Sequence, residues 1–202
     1  AVLYGRTIFK SIRKFITLQL IMNFCAVGIS IIGPFIGFES PVTVVQMLWI
    51  NLIMDTLGGL AFAGEAPMPR YLKEPPKKRD EPILTRGIAG RIAFLSAFTV
   101  ALSVFFLKSP LTVRVFRQMP GDLCLLTAFF ALFIFAGVFN CFNARSDRVR
   151  MLAGIRKNKA FLPIMLAVAA VQIAFVYLGG TMLRTTPLTL RDLGFTLLLA
   201  FS

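Results

Sequence analysis

Long apolar runs separated by short polar segments make up almost the whole chain. The runs occupy residues 15–38, 42–63, 87–107 with Arg91 near one end, 123–142 and 160–180. At about 1.5 Å of rise per residue, each is long enough to cross a hydrocarbon core of about 30 Å as a helix. A sixth segment, 191–202, turns apolar at Leu193, and its apolar part covers only about 15 Å, so it reads as a truncated span. Between the first two runs lie only Glu39, Ser40 and Pro41, which predicts a tight helical hairpin with Pro41 opening the second helix. The 64–86 connection carries Glu74-Pro75-Pro76-Lys77-Lys78-Arg79-Asp80-Glu81-Pro82 and reads as an extended, solvated cytoplasmic loop. The expected fold is all-α, a polytopic transmembrane helical bundle of about six spans.

Composition agrees with this pattern: 57% of residues are hydrophobic, 15% are charged, and the mean hydropathy is +0.78. An ordinary soluble domain carries roughly 25% charge, and a disordered chain would lack the 21 Phe found here. The net charge of +13 would suggest nucleic acid in a soluble protein, but the charges are sided. Four Lys/Arg precede the first run, seven lie between the second run and Arg91, and six follow the fourth run, against five on the opposite side. This bias places the N-terminus in the cytoplasm and makes the lipid bilayer, with no nucleic acid, the expected partner. Cys25, Cys124 and Cys141 fall inside apolar runs without zinc spacing, histidine is absent, and no phosphate-binding glycine motif occurs. With Ala1 opening a basic stretch and the last run too short to span, the expectation is a piece of a longer chain.

Of nine acidic residues only Asp55 lies deep within a run. A carboxylate at that depth costs several kcal/mol unless it is paired, protonated or bound to a cation, which makes it a functional candidate. Asn51 precedes it by one helical turn and shares its face, and Thr56-Leu57-Gly58-Gly59 weakens the helix just beyond. In the other arm of the hairpin, Asn23 falls at roughly similar depth, so the three can converge, although Asn23 alone also suits interhelical hydrogen bonding. Such a set offers only oxygen, which favours a hard cation such as calcium over copper or zinc. Even with bidentate Asp55 it supplies about four oxygens of the six to eight that calcium takes. Gln19, Gln46, Gln172, Asn140 and Asn143 are shallower or isolated, and packing or interfacial bonding is expected of them.

Residues 41–67 read PVTVVQMLWINLIMDTLGGLAFAGEAP, which closely resembles the sixth transmembrane helix of P-type calcium pumps, especially the plasma-membrane type. Residues 4–15, YGRTIFKSIRKF, resemble the stalk and entry into the fifth helix, and the later runs with Asn143-Ala144-Arg145 follow the order of helices seven to ten. The resemblance therefore covers the chain as a C-terminal transmembrane region. It implies metal ligands at Asn23, Asn51 and Asp55. Ala26, Met54 and Gly137 stand where two-site pumps place further oxygens, which implies one calcium site. It also implies an integral multi-pass protein of the plasma membrane, with calcium as the transported ion. Magnesium and ATP, and the actuator, phosphorylation and nucleotide domains, would belong to upstream parts of the same chain, leaving no catalytic residue in this stretch. Alternatives are a P-type pump for manganese, sodium or protons, or a non-enzymatic channel or anchor module. Protons would require a strongly raised Asp55 pKa, and no Lys or Arg lies near it along the runs.

Overall fold

The computed structural model describes residues 2–65, 67, 71, 83–116, 120–145, 158 and 160–201. Most of the 64–86 connection, including its basic run, lies outside the described residues. Helix α1 (Val2–Ile32) is continuous from the basic N-terminal stretch through the first apolar run, and a short 3-10 turn, Gly33–Ile36, ends it. Gly37 closes that turn at φ 92°, a left-handed conformation that glycine adopts without strain. Helices α2 (Val44–Ile53) and α3 (Gly59–Ala63) form the second arm, joined by a π-helical turn, Met54–Gly58. Then come α4 (Arg86–Lys108), α5 (Pro110–Val115), α6 (Leu123–Arg145), α7 (Phe161–Leu178) and α8 (Leu190–Phe201). The fold is all-α, and no strand occurs among the described residues. Among the described residues, five helical segments are long and apolar enough to cross a membrane.

Local chemistry fixes where these helices begin. The Thr43 amide donates to Gln46 Oε1 (2.9 Å) and the Gln46 amide to Thr43 Oγ1 (3.2 Å), a reciprocal capping box that opens α2. Pro41, expected to open this helix, packs instead against Gly33, where any Cβ would collide with its ring. Thr189 and Asp192 repeat the box at α8, each backbone amide donating to the other's side-chain oxygen at 3.2 Å. At α7 the Phe161 amide donates to Asn158 Oδ1 (3.1 Å), while Asn158 Nδ2 donates to the Ala61 carbonyl (2.9 Å), tying α7 to α3.

Helix α6 is the hub, packing against α1, α4, α7 and α8. Cys124, Ala128, Phe129, Phe130 and Ala131 are wholly buried along it. Aromatic contacts connect it outward, with Phe129 beside Phe106 of α4 at 6.1 Å between ring centroids and Phe142 beside Phe161 of α7 at 5.0 Å. Arginine, glutamine and threonine hydrogen bonds fasten the end of the bundle opposite Val2. Gln46 Nε2 donates to the Leu183 carbonyl (2.7 Å), and Arg184 Nη1 donates to that of Ser40 (3.4 Å).

Candidate cation site in the membrane hairpin

Three contacts set the register of α1 against the second arm. Ser11 Oγ donates to Glu65 Oε2 (3.1 Å), a methyl placed on Gly58 or Gly59 would lie 3.6 Å from the Phe15 ring, and Gly33 abuts Pro41. The two segments run antiparallel, so each step along α1 matches one step backwards along its partner. Phe15 lies against Gly58 and Gly59; counting eight residues on puts Asn23 at the height of Asn51, with α1 packed on the π turn and α3 rather than on α2. The next turn toward the Val2 end places Gln19 level with Asp55, about 6 Å away along the axis. Asn23 and Asn51 are both half-buried. The Asp55 side chain lies outside the described part of the structure, while its backbone is the second residue of the π turn.

That turn is the irregularity expected of this segment, but the glycines do not make it by leaving helical space. Gly58 (φ −62°, ψ −48°) and Gly59 (φ −56°, ψ −46°) are ordinary right-handed residues. The widened turn lies just before Gly59, where i→i+5 pairing displaces carbonyls from their usual i+4 donors. The Thr56 hydroxyl donates to the Leu52 carbonyl, meeting one such need, and the Gly59 amide reaches back to the Thr56 carbonyl. Phe15 packs over the glycine pair at a distance that would admit a methyl on either, and it also meets Phe62 at 6.3 Å between centroids. Beside this contact lies a cleft of about 360 Å³, lined by Thr7, Ser11, Phe15, Gly59, Phe62 and Glu65 among others.

Buried amides in the membrane segments separate into two kinds. Gln46 is bonded in its capping box and to Leu183, as packing requires. Among the described residues, Gln172, wholly buried in α7, has neither side-chain atom partnered, and buried Gln19 Oε1 has no partner. Trp49 packs on Phe175 at 4.2 Å between centroids, so Gln172, one turn before Phe175, lies near the level of Asn51. Its indole Nε1–H is also buried and unpartnered. Sequence reasoning assigned Gln19 and Gln172 to packing. For Gln19 one signal was present: it precedes Asn23 by four residues, as Asn51 precedes Asp55. Among the described residues no three His, Cys, Asp or Glu side chains gather as a metal-binding group, so any cation here would rely on amide and backbone oxygens beside a single carboxylate.

Comparison with known proteins places the chain in a defined setting. Residues 39–202 match the family model described as "Cation transporting ATPase, C-terminus". The chain is 34% identical to calcium-transporting ATPase 10, plasma membrane-type, of Arabidopsis thaliana, over 92% of this chain and 18% of that protein. It is also 34% identical to calcium-transporting ATPase 5, plasma membrane-type, of Oryza sativa subsp. japonica, with the same coverage. Against plasma membrane calcium-transporting ATPase mca-1 of Caenorhabditis elegans the identity is 32%, over 100% of this chain and 17% of that protein. The chain thus spans less than a fifth of the length of these curated relatives.

Proposed function

Because the chain belongs to the cation-transporting ATPase C-terminus family, we propose that it is the ion-binding membrane region of an ATP-driven calcium pump of the plasma membrane. Its relatives named above are calcium-transporting ATPases of plasma-membrane type. The observation that carries the site assignment is the shared level of Asn23 and Asn51, with Asp55 one turn away in a π-helical turn. Calcium is the substrate, held by the amide oxygens of Asn23 and Asn51 and the carboxylate of Asp55. The lack of oxygen-bearing side chains at Ala26, Met54 and Gly137 supports one ion per cycle. Waters, π-turn carbonyls and other parts of a longer chain complete the coordination sphere. Magnesium, ATP and the phosphorylated aspartate belong to actuator, phosphorylation and nucleotide domains elsewhere in that longer chain.

Motion reaches the site through α1. The helix is unbroken from Val2 to Ile32, so a displacement at its basic, cytoplasmic end is carried rigidly over roughly 30 Å to Asn23. Near that end Arg6 Nη1 donates to the Tyr71 carbonyl (2.6 Å), and the Lys10 ammonium sits 4.0 Å from the Tyr71 ring centroid. These contacts couple the stalk to the connection after α3. Sliding α1 against the second arm separates Asn23 from Asn51 and takes oxygens from the ion, converting tight binding into release.

The test is phosphoenzyme formation from labelled ATP by the complete parent chain in membranes, with and without calcium. Calcium-dependent labelling is expected in the wild type and is expected to vanish in Asp55→Asn, with membrane insertion intact. Normal calcium-dependent labelling in that variant overturns the site. Labelling triggered by a different cation keeps the pump and changes its ion, and no acyl-phosphate under any condition defeats the pump itself.

A further inference from the structure

The orphaned oxygen of Gln19 is the strongest unexplained feature of the hairpin. A buried carbonyl oxygen without a hydrogen-bond donor costs roughly 1–3 kcal/mol, and such groups in folded proteins call for a ligand or a specific role. Ser11 and Phe15 mark the stripe of α1 that touches the second arm. Gln19 lies one turn beyond Phe15 and about 40° further around the helix, and Asn23 lies one turn beyond that. By this register, Gln19 and Asn23 on α1 and Asp55 and Asn51 on the other arm are each one turn apart along the chain and lie at matching heights along the hairpin. Among the described residues nothing donates to Gln19 Oε1. An amide oxygen in that condition, level with a carboxylate and oriented away from water, is suited to a cation.

From this geometry we infer that Gln19 supplies a further oxygen to the transported cation on the Asp55 side of the site. This rests on the calcium reading above and adds a specificity-determining residue to it. With Gln19 the side chains offer about five oxygens, closer to the six that calcium requires at minimum. The added ligand is neutral, so it strengthens coordination without increasing the negative charge buried in the membrane. As one of four ligand-bearing positions on a two-helix frame, it also ties affinity to the sliding of α1, because Gln19 and Asn23 move together.

Half-saturating calcium for phosphoenzyme formation, and the maximal level at saturating calcium, separate this role from packing. These are measured in membranes carrying the complete parent chain. Gln19→Leu is expected to raise half-saturating calcium roughly tenfold or more, the scale seen when a metal site loses a supporting polar group, while the maximal level holds. Gln19→Glu keeps an oxygen at the same reach and is expected to stay within about threefold of the wild type, well short of that loss. A space-filling Gln19 predicts the reverse order, with leucine tolerated and the charged side chain harmful. Wild-type half-saturating calcium in Gln19→Leu therefore overturns the assignment, as does equal impairment of both variants. Should the leucine variant fail to reach the membrane, Gln19→Met carries the same comparison with an unbranched side chain. A wild type without any calcium response defeats the calcium reading itself, which is a separate outcome from an unshifted Gln19→Leu.

Discussion

Along the fourth apolar segment, Pro120–Phe142, 72% of the most apolar window is buried inside the bundle; along Val44–Ala63 the share is 31%. Both segments are of membrane-crossing length. The first contains α6, a regular helix whose own ladder satisfies its backbone and whose Phe, Ala and Cys side chains fill the space among four neighbours. The second is two short helices around a π turn, and it carries Asn51, Asp55 and two glycines. A helix that is finished internally can only be packed against, which suits a scaffold. A helix with displaced carbonyls and a carboxylate must find outside partners, and those partners can include an ion. Apolar length puts both segments in the membrane; unfinished polarity separates the candidate site from its support.

Exchanging the two characters gives the largest effect. Ala131→Asp places a carboxylate in the wholly buried hub, with a cost expected above about 4 kcal/mol, and the bundle should fail to assemble as judged by aggregation in detergent extracts. Asp55→Leu removes the carboxylate from the arm and should leave the same extract monodisperse, because leucine suits an apolar membrane run. A monodisperse Ala131→Asp protein would erase the distinction between hub and arm.

A smaller effect is expected at the hairpin tip. Gly33→Ala pushes a methyl into the Pro41 ring, and overpacking of this kind costs roughly 1–3 kcal/mol, read as a lower thermal midpoint of the detergent-solubilised protein. Gly58→Ala, where the added methyl meets Phe15 at an ordinary 3.6 Å, should leave the midpoint within a degree or two of the wild type. Equal losses at the two glycines would mean that the register drawn from these contacts is wrong. Smallest is Thr43→Ala, which removes one half of the α2 capping box and should cost about 1 kcal/mol. A midpoint shift as large as that of Gly33→Ala would show that the start of this arm is held by more than its cap.

Much of this was legible along the chain. Asp55 stood out because it is the one acidic residue within an apolar run, and Asn51 because four residues separate it from Asp55. The weakness before Gly59 was foreseeable from the glycine pair, though its form was not. Sequence does not say that the irregularity takes the form of a π turn, nor that Phe15 packs over the glycine pair. A proline suits the first turn of a helix, but the Thr43–Gln46 box two residues after Pro41 is a competing start signal, and Gly33 offers the proline ring a place to pack. Gln19 and Gln46 look alike in sequence, yet one is bonded at both ends of its amide and the other has a bare oxygen.

By itself the sequence determined that this protein is a helical membrane bundle with one buried carboxylate among amides. Those properties depend on transfer free energy and on spacing within a single helix, and both are written locally. Only the tertiary structure decided the register of α1 on the second arm, that α6 is the hub, and which amides find no partner among the described residues. Each of these depends on which helix covers which face and at what register, and that is set by contacts such as Phe15 on Gly59 and Ser11 on Glu65, whose partners lie 44 and 54 residues apart in the chain.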